Sequence, residues 1–275
     1  MSKIKIITDS SITIAPELLE SLDISVVSLS FMIDGVVYQD EEVSGYDFMN
    51  MMAQAKTLPK TSQPPIGKFV EVYQANVDSG YEIISIHISH ALSGTVEAAR
   101  QASKLVDGNI TVIDSGFTDQ ALAFQVISAA KLVQEGKDIA DILDKLAAIK
   151  QRTRLFIGIS NLDNLVKGGR ISRLTGVVSS FLNVKIVMEF KDGKLIPISK
   201  GRGVKTFNKW FADWQNSVDF SQITHLGISH ADGLALAENF RESLSDKVNF
   251  EIPVLTTGST IATHTGAGAW SIMYD

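Results

Sequence analysis

Two short clusters of hydroxyl side chains are the residues of this chain best suited to hold a ligand. The segment "TSQPP" contributes Thr61 and Ser62, and the segment "LSGT" contributes Ser93 and Thr95. A hydroxyl donates and accepts hydrogen bonds, and Gly94 between the second pair allows a ligand to approach the backbone closely. The two clusters together predict a site for a small ligand that carries one or two acceptor oxygens.

The position of "LSGT" relative to the predicted elements supports this interpretation. It follows the strongest predicted strand, 81–89, and precedes a predicted helix, whose first N–H groups and positive dipole end favour an acceptor oxygen. The polar segments "TDSS" (8–11) and "DSG" (114–116) also end predicted strands. Because the carboxyl ends of parallel strands share one edge of a sheet, these segments are expected on one rim.

Helix capping is the alternative interpretation of "TSQPP". If Pro64 and Pro65 open a helix, Ser62 or Gln63 lies at or near its N-cap, and Thr61 lies outside with a free hydroxyl. Capping is favoured when this segment is considered alone, because a hydroxyl close to a helix start usually caps that helix. The convergence of several hydroxyl segments on one rim favours ligand binding instead.

Other kinds of site lack their sequence motifs. The chain contains no G-x-x-x-x-G-K-[ST] motif, and "TDSSIT" has no glycine fingerprint for a nucleotide phosphate. None of the five histidines has the compact spacing of metal ligands: His87, His90, His225, His230 and His264. We therefore predict neither a metal nor a cofactor, and we interpret His87, inside a predicted strand, as a packing residue.

A serine hydrolase is an alternative function that the residues permit. His264 lies in the segment "ATHTGAGAW", predicted as a Gly-rich loop from which the side chain reaches the domain interface. Ser93, His264 and Asp114 contain the side chains of a catalytic triad. Ser93 is not part of a G-x-S-x-G segment, so the strained turn that exposes a nucleophilic serine is not indicated.

Composition predicts a folded globular protein. The chain has 275 residues, of which 45% are hydrophobic and 20% charged, so it can bury a large core. Its net charge of −6 argues against nucleic-acid binding, which needs a basic surface. The absence of cysteine excludes disulfides and thiolate metal sites and favours a reducing compartment. Without a signal-peptide core or a membrane-length apolar run, we expect no stable membrane insertion and a cytoplasmic location.

The order of predicted elements indicates an α/β fold with two domains. In the first half, strands at 3–11, 24–33, 81–89 and 109–114 alternate with helices at 15–21, 44–56, 66–80, 96–106, 119–135 and 138–150. This alternation predicts a three-layer α/β/α domain, residues 1–156, with a mostly parallel sheet and helices on both faces.

The second half predicts a smaller α+β domain, residues 157–275. A strand is predicted at 154–160, then a helix, a Gly-rich turn and a helix over 161–182. Two extended runs flank Asp192-Gly193, a strong hairpin signal. Helices at 204–218 and 234–247 alternate with strands at 224–231 and 250–258.

Seven segments in this order resemble the DegV family, bacterial fatty-acid-binding proteins that serve as the carrier subunit of fatty acid kinase. These segments are "TDSS" (8–11), "TSQP" (61–64), "LSGT" (92–95), "VIDSG" (112–116), "LVKGGRIS" (165–172), "LNVK" (182–185) and "HTGAGA" (264–269). They extend from one end of the chain to the other. TSQP, LSGT and GGRIS at these separations form a specific set, although each alone is a weak signal.

The resemblance implies that a long-chain fatty acid lies between the two domains, with its tail in an apolar tunnel. It implies that Thr61 and Ser93 hold the carboxylate and that His264 joins the same hydrogen-bond network. Three neighbours would support them: Ser62, Gly94 and Thr95. The sequence leaves open whether Thr61 or Ser62 makes the direct contact.

The resemblance also implies a partner, the catalytic subunit of fatty acid kinase, docked by Arg170 and Arg202. Five cations would form a basic patch there, or else a solvated surface turn: Lys167, Arg170, Arg173, Lys200 and Arg202. The chain itself is then expected to carry the fatty acid and not to catalyse, because phosphoryl transfer needs nucleotide and metal sites. A serine hydrolase of acyl esters and a lipid-responsive regulator without a kinase partner are the alternatives.

Overall fold

The computed structural model describes residues 3–175 and 184–275 of the chain. In chain order the first half contains β1 (Lys3–Asp9), α1 (Pro16–Ser21), β2 (Ser25–Val27), β3 (Ser30–Ile33), β4 (Val36–Gln39), α2 (Gly45–Gln54), β5 (Lys60–Ser62), α3 (Ile66–Asp78), β6 (Tyr81–His87), α4 (Thr95–Ser103), β7 (Ile110–Asp114), α5 (Asp119–Gln134) and α6 (Ile139–Arg152). The second half contains β8 (Arg154–Ile159), α7 (Asp163–Lys167), β9 (Lys185–Lys191), β10 (Lys194–Gly201), α8 (Lys205–Gln215), β11 (Leu226–Ala231), α9 (Leu234–Leu244), β12 (Val254–Thr256), α10 (Ser259–Thr265) and β13 (Ala269–Tyr274). Three 3-10 helices lie at Asp40–Glu42, Arg170–Arg173 and Phe220–Gln222.

The first sheet is parallel and has helices on both faces, so the predicted three-layer arrangement is confirmed. Its strand order is β2-β1-β6-β7, and each neighbouring pair is parallel. Successive side chains of a strand face opposite sides: Ile83 of β6 packs with α3 and α4, whereas Ile84 packs with α5 and α6. The carboxyl ends of β1, β6 and β7 therefore share one edge.

The second sheet is mixed and mostly antiparallel. Its order is β10-β9-β8-β13-β11-β12, with β11 and β12 as the parallel pair. One face packs on aromatic residues of α8 and α9, including Trp210, Trp214 and Phe240. Residue 156, the predicted domain boundary, lies within β8, which pairs on both sides inside this sheet.

Helix α5 joins the two sheets. On one side Leu122 packs against the first sheet, and on the other side Ala121 and Phe124 pack against residues of the second sheet. Eleven residues of this helix are buried, and four of them are alanines, which keep the helix close to both sheets. The two halves therefore share one continuous apolar interior.

A third sheet corrects the predicted strand 24–33. That run is two strands, because β2 belongs to the parallel sheet and β3 to an antiparallel sheet ordered β4-β3-β5. Leu29 separates them and its N–H donates to Ser10 Oγ at 2.9 Å. The chain thus leaves the first sheet at a tertiary hydrogen bond, which an unbroken apolar run does not reveal.

The capping interpretation of "TSQPP" is wrong. Residues Lys60–Ser62 are β5, with Thr61 opposite Phe31 of β3, and helix α3 begins at Ile66 with Pro65 as its N-cap. Ser62 and Gln63 do not cap this helix. The prolines between them and Ile66 keep both residues too far from the first N–H groups of α3.

The remaining described elements follow the predicted pattern, and β13 is an added strand. The second predicted helix of 161–182 and the segment "LNVK" fall partly on residues 176–183, outside the described residues. Strand β13, which no motif indicated, lies in the middle of the second sheet. Within the described part of the chain, no helix has the length and apolar character needed to cross a membrane.

The two hairpin turns offer a matched test of how the second sheet contacts the first half. Asp34-Gly35 and Asp192-Gly193 both have positive φ at both residues, as a type I′ turn requires. A Cβ on Gly193 would lie 2.8 Å from Cβ of Ala91, whereas a Cβ on Gly35 would meet nothing within 4 Å.

We expect Gly35→Ala to lower the free energy of unfolding by about 1 kcal/mol through backbone strain alone. Gly193→Ala should lower it by about 1 kcal/mol more, because the new methyl group displaces the loop that contains Ala91. Urea unfolding of both variants measures the difference. Equal losses of unfolding free energy in the two variants would contradict a close contact between the hairpin tip and the loop that contains Ala91.

Candidate functional site

A hydrogen bond between Thr61 and His264 lies at the centre of the candidate site. Thr61 Oγ1 and His264 Nε2 are 3.0 Å apart, although the two residues are 203 positions apart in sequence. His264 is on α10, which packs through Ala262 in one apolar cluster with Phe31 of β3, and Thr61 is on β5, which pairs with β3. The packing of α10 on the third sheet therefore brings the two side chains together.

The prediction that His264 lies in a Gly-rich loop is wrong. His264 is in the last turn of α10, and the glycine segment begins only after it, where Gly266 has φ +75°. The helix is formed by Ser259–Thr265, "STIATHT", and it packs through Ala262. Glycine at Gly266 allows the chain to turn back into β13.

The imidazole of His264 is neutral at pH 7. Burial and, to a smaller extent, the positive charge of Arg170 together lower its pKa to about 4. Its Nδ1 is buried and has no hydrogen-bond partner among the described residues. A Cβ on Gly168 would collide with Nδ1, so the glycine of "LVKGGRIS" leaves room for the ring.

The hydroxyl of Ser93 lies at the start of α4. Ser93 Oγ accepts a hydrogen bond from Thr95 N at 3.3 Å and lies 2.9 Å from Thr95 Oγ1. Thr95 is fully buried and is the first residue of the helix, with Gly94 as its N-cap. The side chain of Gln63 packs over Gly94 where a Cβ would lie, so the two clusters found in the sequence are in contact.

A cavity lies between the first and second sheets and contains these groups. Its empty space is about 730 Å³ when the open solvent at its mouth is included. Five predicted site residues line it: Thr61, Ser62, Ser93, Arg170 and His264. Most of the remaining wall is apolar: Leu29, Ile88, Leu92, Leu155, Ile157, Ile159, Leu165, Phe190, Leu195 and Ile261.

A polar cleft adjoins the cavity. It has about 510 Å³ of empty space, and Leu92, Ser93 and Arg170 line both spaces. Gly94 and His90 line the cleft but not the cavity. Ser93 and Arg170 therefore lie where the apolar cavity meets a polar opening, which gives the site one polar end.

Arg170 has a structural role at this opening. Its Nε donates to the carbonyl of Leu92 at 3.2 Å, and Nη1 donates to the carbonyl of Gly168 at 2.9 Å. The guanidinium therefore ties its own 3-10 helix to the loop that contains Ser93. Sequence reasoning assigned Arg170 to partner docking alone and did not identify this contact.

Arg202 lies away from the opening. It is exposed in the connection after β10 and lines neither space. Leu195, which lines the cavity together with Arg170, is at the other end of β10, so about 20 Å of strand separates it from Gly201. Arg170 therefore lines the opening and Arg202 does not.

The three residues of the alternative triad have different partners. Ser93 pairs with Thr95, His264 pairs with Thr61, and His90 Nδ1 lies 2.5 Å from Asp114 Oδ2. The structure therefore does not assemble a hydrolase triad from them.

A triad-like chain of contacts occurs elsewhere, in the first sheet. Ser85 Oγ lies 2.6 Å from His87 Nε2, and His87 Nδ1 lies 3.0 Å from Asp9 Oδ2. All three residues are fully buried, so His87 belongs to the interior, as the sequence indicated. Among the described residues, no group of three His, Asp or Glu side chains is placed to hold a metal ion.

Sequence reasoning missed three hydroxyls that line the cavity: Thr118, Thr260 and Thr265. Thr260 precedes His264 by four residues on α10, and residues at this spacing lie on the same face of a helix. The helical spacing was a usable signal for Thr260, but the segment was assigned to a loop.

Comparisons with known proteins agree over almost the whole chain. A family model described as "Uncharacterised protein, DegV family" matches residues 3–275. A "DegV domain-containing protein" of Streptococcus pneumoniae serotype 4 is 53% identical over 274 residues, which cover 99% of this chain and 98% of that protein.

Two solved structures share the fold over nearly their full length. The crystal structure of DegV, a fatty acid binding protein from Bacillus subtilis, aligns with a TM-score of 0.90 and 30% identity, covering 100% of this chain and 99% of that chain. A stearic acid-binding protein from Eubacterium ventriosum aligns with a TM-score of 0.88 and 25% identity, covering 100% and 98%.

The low pKa of His264 predicts a pH-dependent stability. The pKa is about 4 in the folded protein against 6.5 for the free side chain, so between these values the unfolded chain binds more protons. The free energy of unfolding should therefore fall as the pH is lowered from 6.5 to 4, by up to about 1.4 kcal/mol per unit.

Urea unfolding at pH 8, 6.5, 5.5 and 4.5 measures this contribution. The His264→Gln variant should lose less stability than the wild type between pH 6.5 and 4.5, with pH 8 as the reference for both proteins. Parallel curves for the two proteins would contradict a neutral, buried His264.

Proposed function

Because this chain belongs to the DegV family, we propose that it binds a long-chain fatty acid between its two halves and presents the carboxylate to a separate kinase. The observation that carries the proposal is the Thr61–His264 pair, which lies with Ser93 on an otherwise mostly apolar cavity. A fatty acid has the same division into one polar end and a long apolar tail. The fatty-acid-binding proteins of the same fold from B. subtilis and E. ventriosum support the assignment.

The carboxylate binds to the hydroxyls of Thr61 and Ser93. An ionised carboxylate that loses its water without gaining donors is strongly destabilised, and a hydrogen bond to a charged group contributes about 1.5–3 kcal/mol. Both hydroxyls line the cavity, and Thr61 already has a partner behind it. Of the two candidates on β5, Thr61 is the direct contact, because Ser62 is exposed and does not join His264.

The tautomer of His264 decides which way the Thr61 hydroxyl points. The buried Nδ1 has no acceptor among the described residues, and a buried N–H without an acceptor is less favourable than a bare lone pair. The ring proton is then on Nε2 and is donated to Thr61 Oγ1. The Thr61 hydroxyl keeps its own proton for the ligand, so His264 orients the donor without carrying a charge.

The tail supplies the affinity. Burial of one methylene contributes about 0.8 kcal/mol, so a chain of about fourteen methylenes contributes on the order of 11 kcal/mol before the cost of association. The ten apolar residues of the wall come from both halves of the chain. The fatty acid therefore lies across the interface between them.

The kinase reaches the carboxylate through the polar cleft. Two neutral hydroxyls leave an oxygen available for phosphorylation, and the product is an acyl phosphate. The kinase supplies the nucleotide and metal that phosphoryl transfer needs, so this chain acts as the carrier and not as the catalyst. Arg170 at the opening and Arg202 beyond it lie on the docking surface, and the acyl phosphate enters phospholipid synthesis in the cytoplasm.

Removal of the two hydroxyls tests the carboxylate site. We expect wild-type protein to retain free fatty acid after purification, detected by native mass spectrometry. Thr61→Val combined with Ser93→Ala should lose it, with an affinity for palmitate reduced about a hundredfold because two bonds to a charged group are removed.

Thr206→Val combined with Ser217→Ala is the matched control, since these hydroxyls bond only to nearby backbone carbonyls. This control should retain the lipid. Covalent labelling of Ser93 by a fluorophosphonate would contradict the carrier function and support an acyl hydrolase.

Charge reversal tests the docking surface. Arg202→Glu should reduce acyl phosphate formation by an added kinase catalytic subunit with ATP at least fivefold, because it places a negative charge on the proposed docking surface. Palmitate affinity should stay at the wild-type value, since Arg202 lines neither space.

Lys137→Glu, an exposed lysine beyond the far end of α5, makes the same charge change and should leave the transfer rate intact. If both variants reduce the rate equally, net charge and not a docking contact is responsible. A fall in palmitate affinity equal to the fall in rate would overturn the docking role of Arg202.

A further inference from the structure

Asp40 is a buried carboxylate that does not line the fatty-acid cavity but contacts the elements that form it. Its side chain belongs to the 3-10 helix between β4 and α2, and the residue is 5% exposed. Hydrogen-bond donors from both halves of the chain converge on its two oxygens. No motif of the sequence pointed to this residue.

The first set of donors comes from the start of α10. Oδ1 accepts from Ser259 Oγ and from Thr260 N, the latter at 3.3 Å, and Oδ2 accepts from Thr260 Oγ1 at 3.2 Å. The N-cap of α10 is Gly258, which has no side chain to accept from these groups. Asp40 therefore takes the role of the missing cap and holds the first turn of the helix that ends with His264.

The second set of contacts joins Asp40 to Ser10 and to Leu29, the residue before β3. Ser10 Oγ donates to Asp40 Oδ2 at 2.7 Å and accepts from Leu29 N at 2.9 Å, while Asp40 N donates to Leu29 O at 2.9 Å. Leu29 immediately precedes β3, in which Phe31 is opposite Thr61. The carboxylate thus bonds α10 directly, and through Ser10 it is linked to the residue before β3, the strand that pairs with β5.

The carboxylate accepts from three hydroxyls, which could also accept, and from the backbone N–H of Thr260, which can only donate. Four hydrogen bonds reach the two oxygens, and each carboxylate oxygen accepts two of them. An asparagine in this place would turn an NH₂ group toward two of the donors, because its amide has only one acceptor oxygen. The Asp40→Asn substitution therefore disturbs the junction while hardly changing its volume.

We propose that Asp40 is a positioning residue for the fatty-acid site: it fixes α10 against β3, so that His264 Nε2 stays within hydrogen-bond distance of Thr61 Oγ1. The pair is then assembled before a ligand arrives, which reduces the ordering that binding has to supply. This inference deepens the proposed function and rests on it for its effect on binding. Its structural part concerns the ligand-free protein and is tested separately.

NMR of the ligand-free full chain tests the structural part. Long-range ¹H–¹⁵N correlation spectra report the tautomer of each histidine ring, and His264→Gln identifies the signals of His264. Asp40→Asn should shift the Nε2 signal of His264 and add signal from the second tautomer, while the signals of His225 stay in place. Unchanged His264 signals in Asp40→Asn would overturn the proposal, whatever the protein binds.

A double-mutant cycle tests the effect on binding. We expect Asp40→Asn to weaken palmitate binding about tenfold in the wild-type background and less than twofold when Thr61 is already valine, because the pair is then absent. Equal losses in the two backgrounds would overturn the proposal. If the wild type does not bind palmitate, the proposed function fails, and the NMR spectra still decide the role of Asp40.

Two further variants separate positioning from loss of stability. Ser259→Ala removes one donor to Asp40 without changing a residue of the cavity. It should shift the Nε2 signal of His264 in the same way but by less, and it provides the test if Asp40→Asn does not fold. Asp138→Ala removes the N-cap of α6, where Asp138 accepts from Asp141 N. It should lower the unfolding temperature but change neither palmitate affinity nor the His264 signals, and a change in both would overturn the proposal.

Discussion

The structure of the site depends on one hydrogen bond, between Thr61 Oγ1 and His264 Nε2. A carboxylate next to an apolar cavity has to be held by donors whose direction is already set, because free rotation of a hydroxyl would be lost on binding. The bond sets the direction of Thr61, and it exists only because α10 packs on the third sheet. That sheet, although it has only three short strands, therefore determines the geometry of the polar end.

The side chains that would hold the carboxylate in the proposed function are neutral, although the cation Arg170 lines the same cavity. Burial and Arg170 keep His264 neutral. Arg170 itself donates hydrogen bonds to the carbonyls of Leu92 and Gly168. An arginine that gripped the carboxylate directly would hold it firmly in a bidentate pair. Hydroxyl donors would hold it less strongly, as the proposed transfer to a kinase requires.

The sequence predicted the elements of the fold more reliably than their connections. The parallel sheet of the first half, the Asp192-Gly193 hairpin and the long helices followed from periodicity and turn residues, since both are local signals. The split between β2 and β3 did not follow, because β2 ends where Leu29 N donates to Ser10 Oγ, and Ser10 lies in another part of the chain. The position of His264 was wrong for a related reason: "STIATH" is short and rich in hydroxyls, and it is helical because Ala262 packs on the third sheet and Asp40 holds its first turn.

The sequence by itself determined which groups are available: hydroxyls at Thr61 and Ser93, an imidazole at His264, glycines beside them and apolar residues for a tunnel. It also indicated the family, because several short segments occur in the chain in a characteristic order and at characteristic separations. Only the tertiary structure decided that Thr61, and not Ser62, meets His264, that Arg170 supports the Ser93 loop, and that Asp40 joins α10 to β3. The physical reason is that hydrogen bonds between residues far apart in sequence depend on packing of whole elements, which no local pattern of residues encodes.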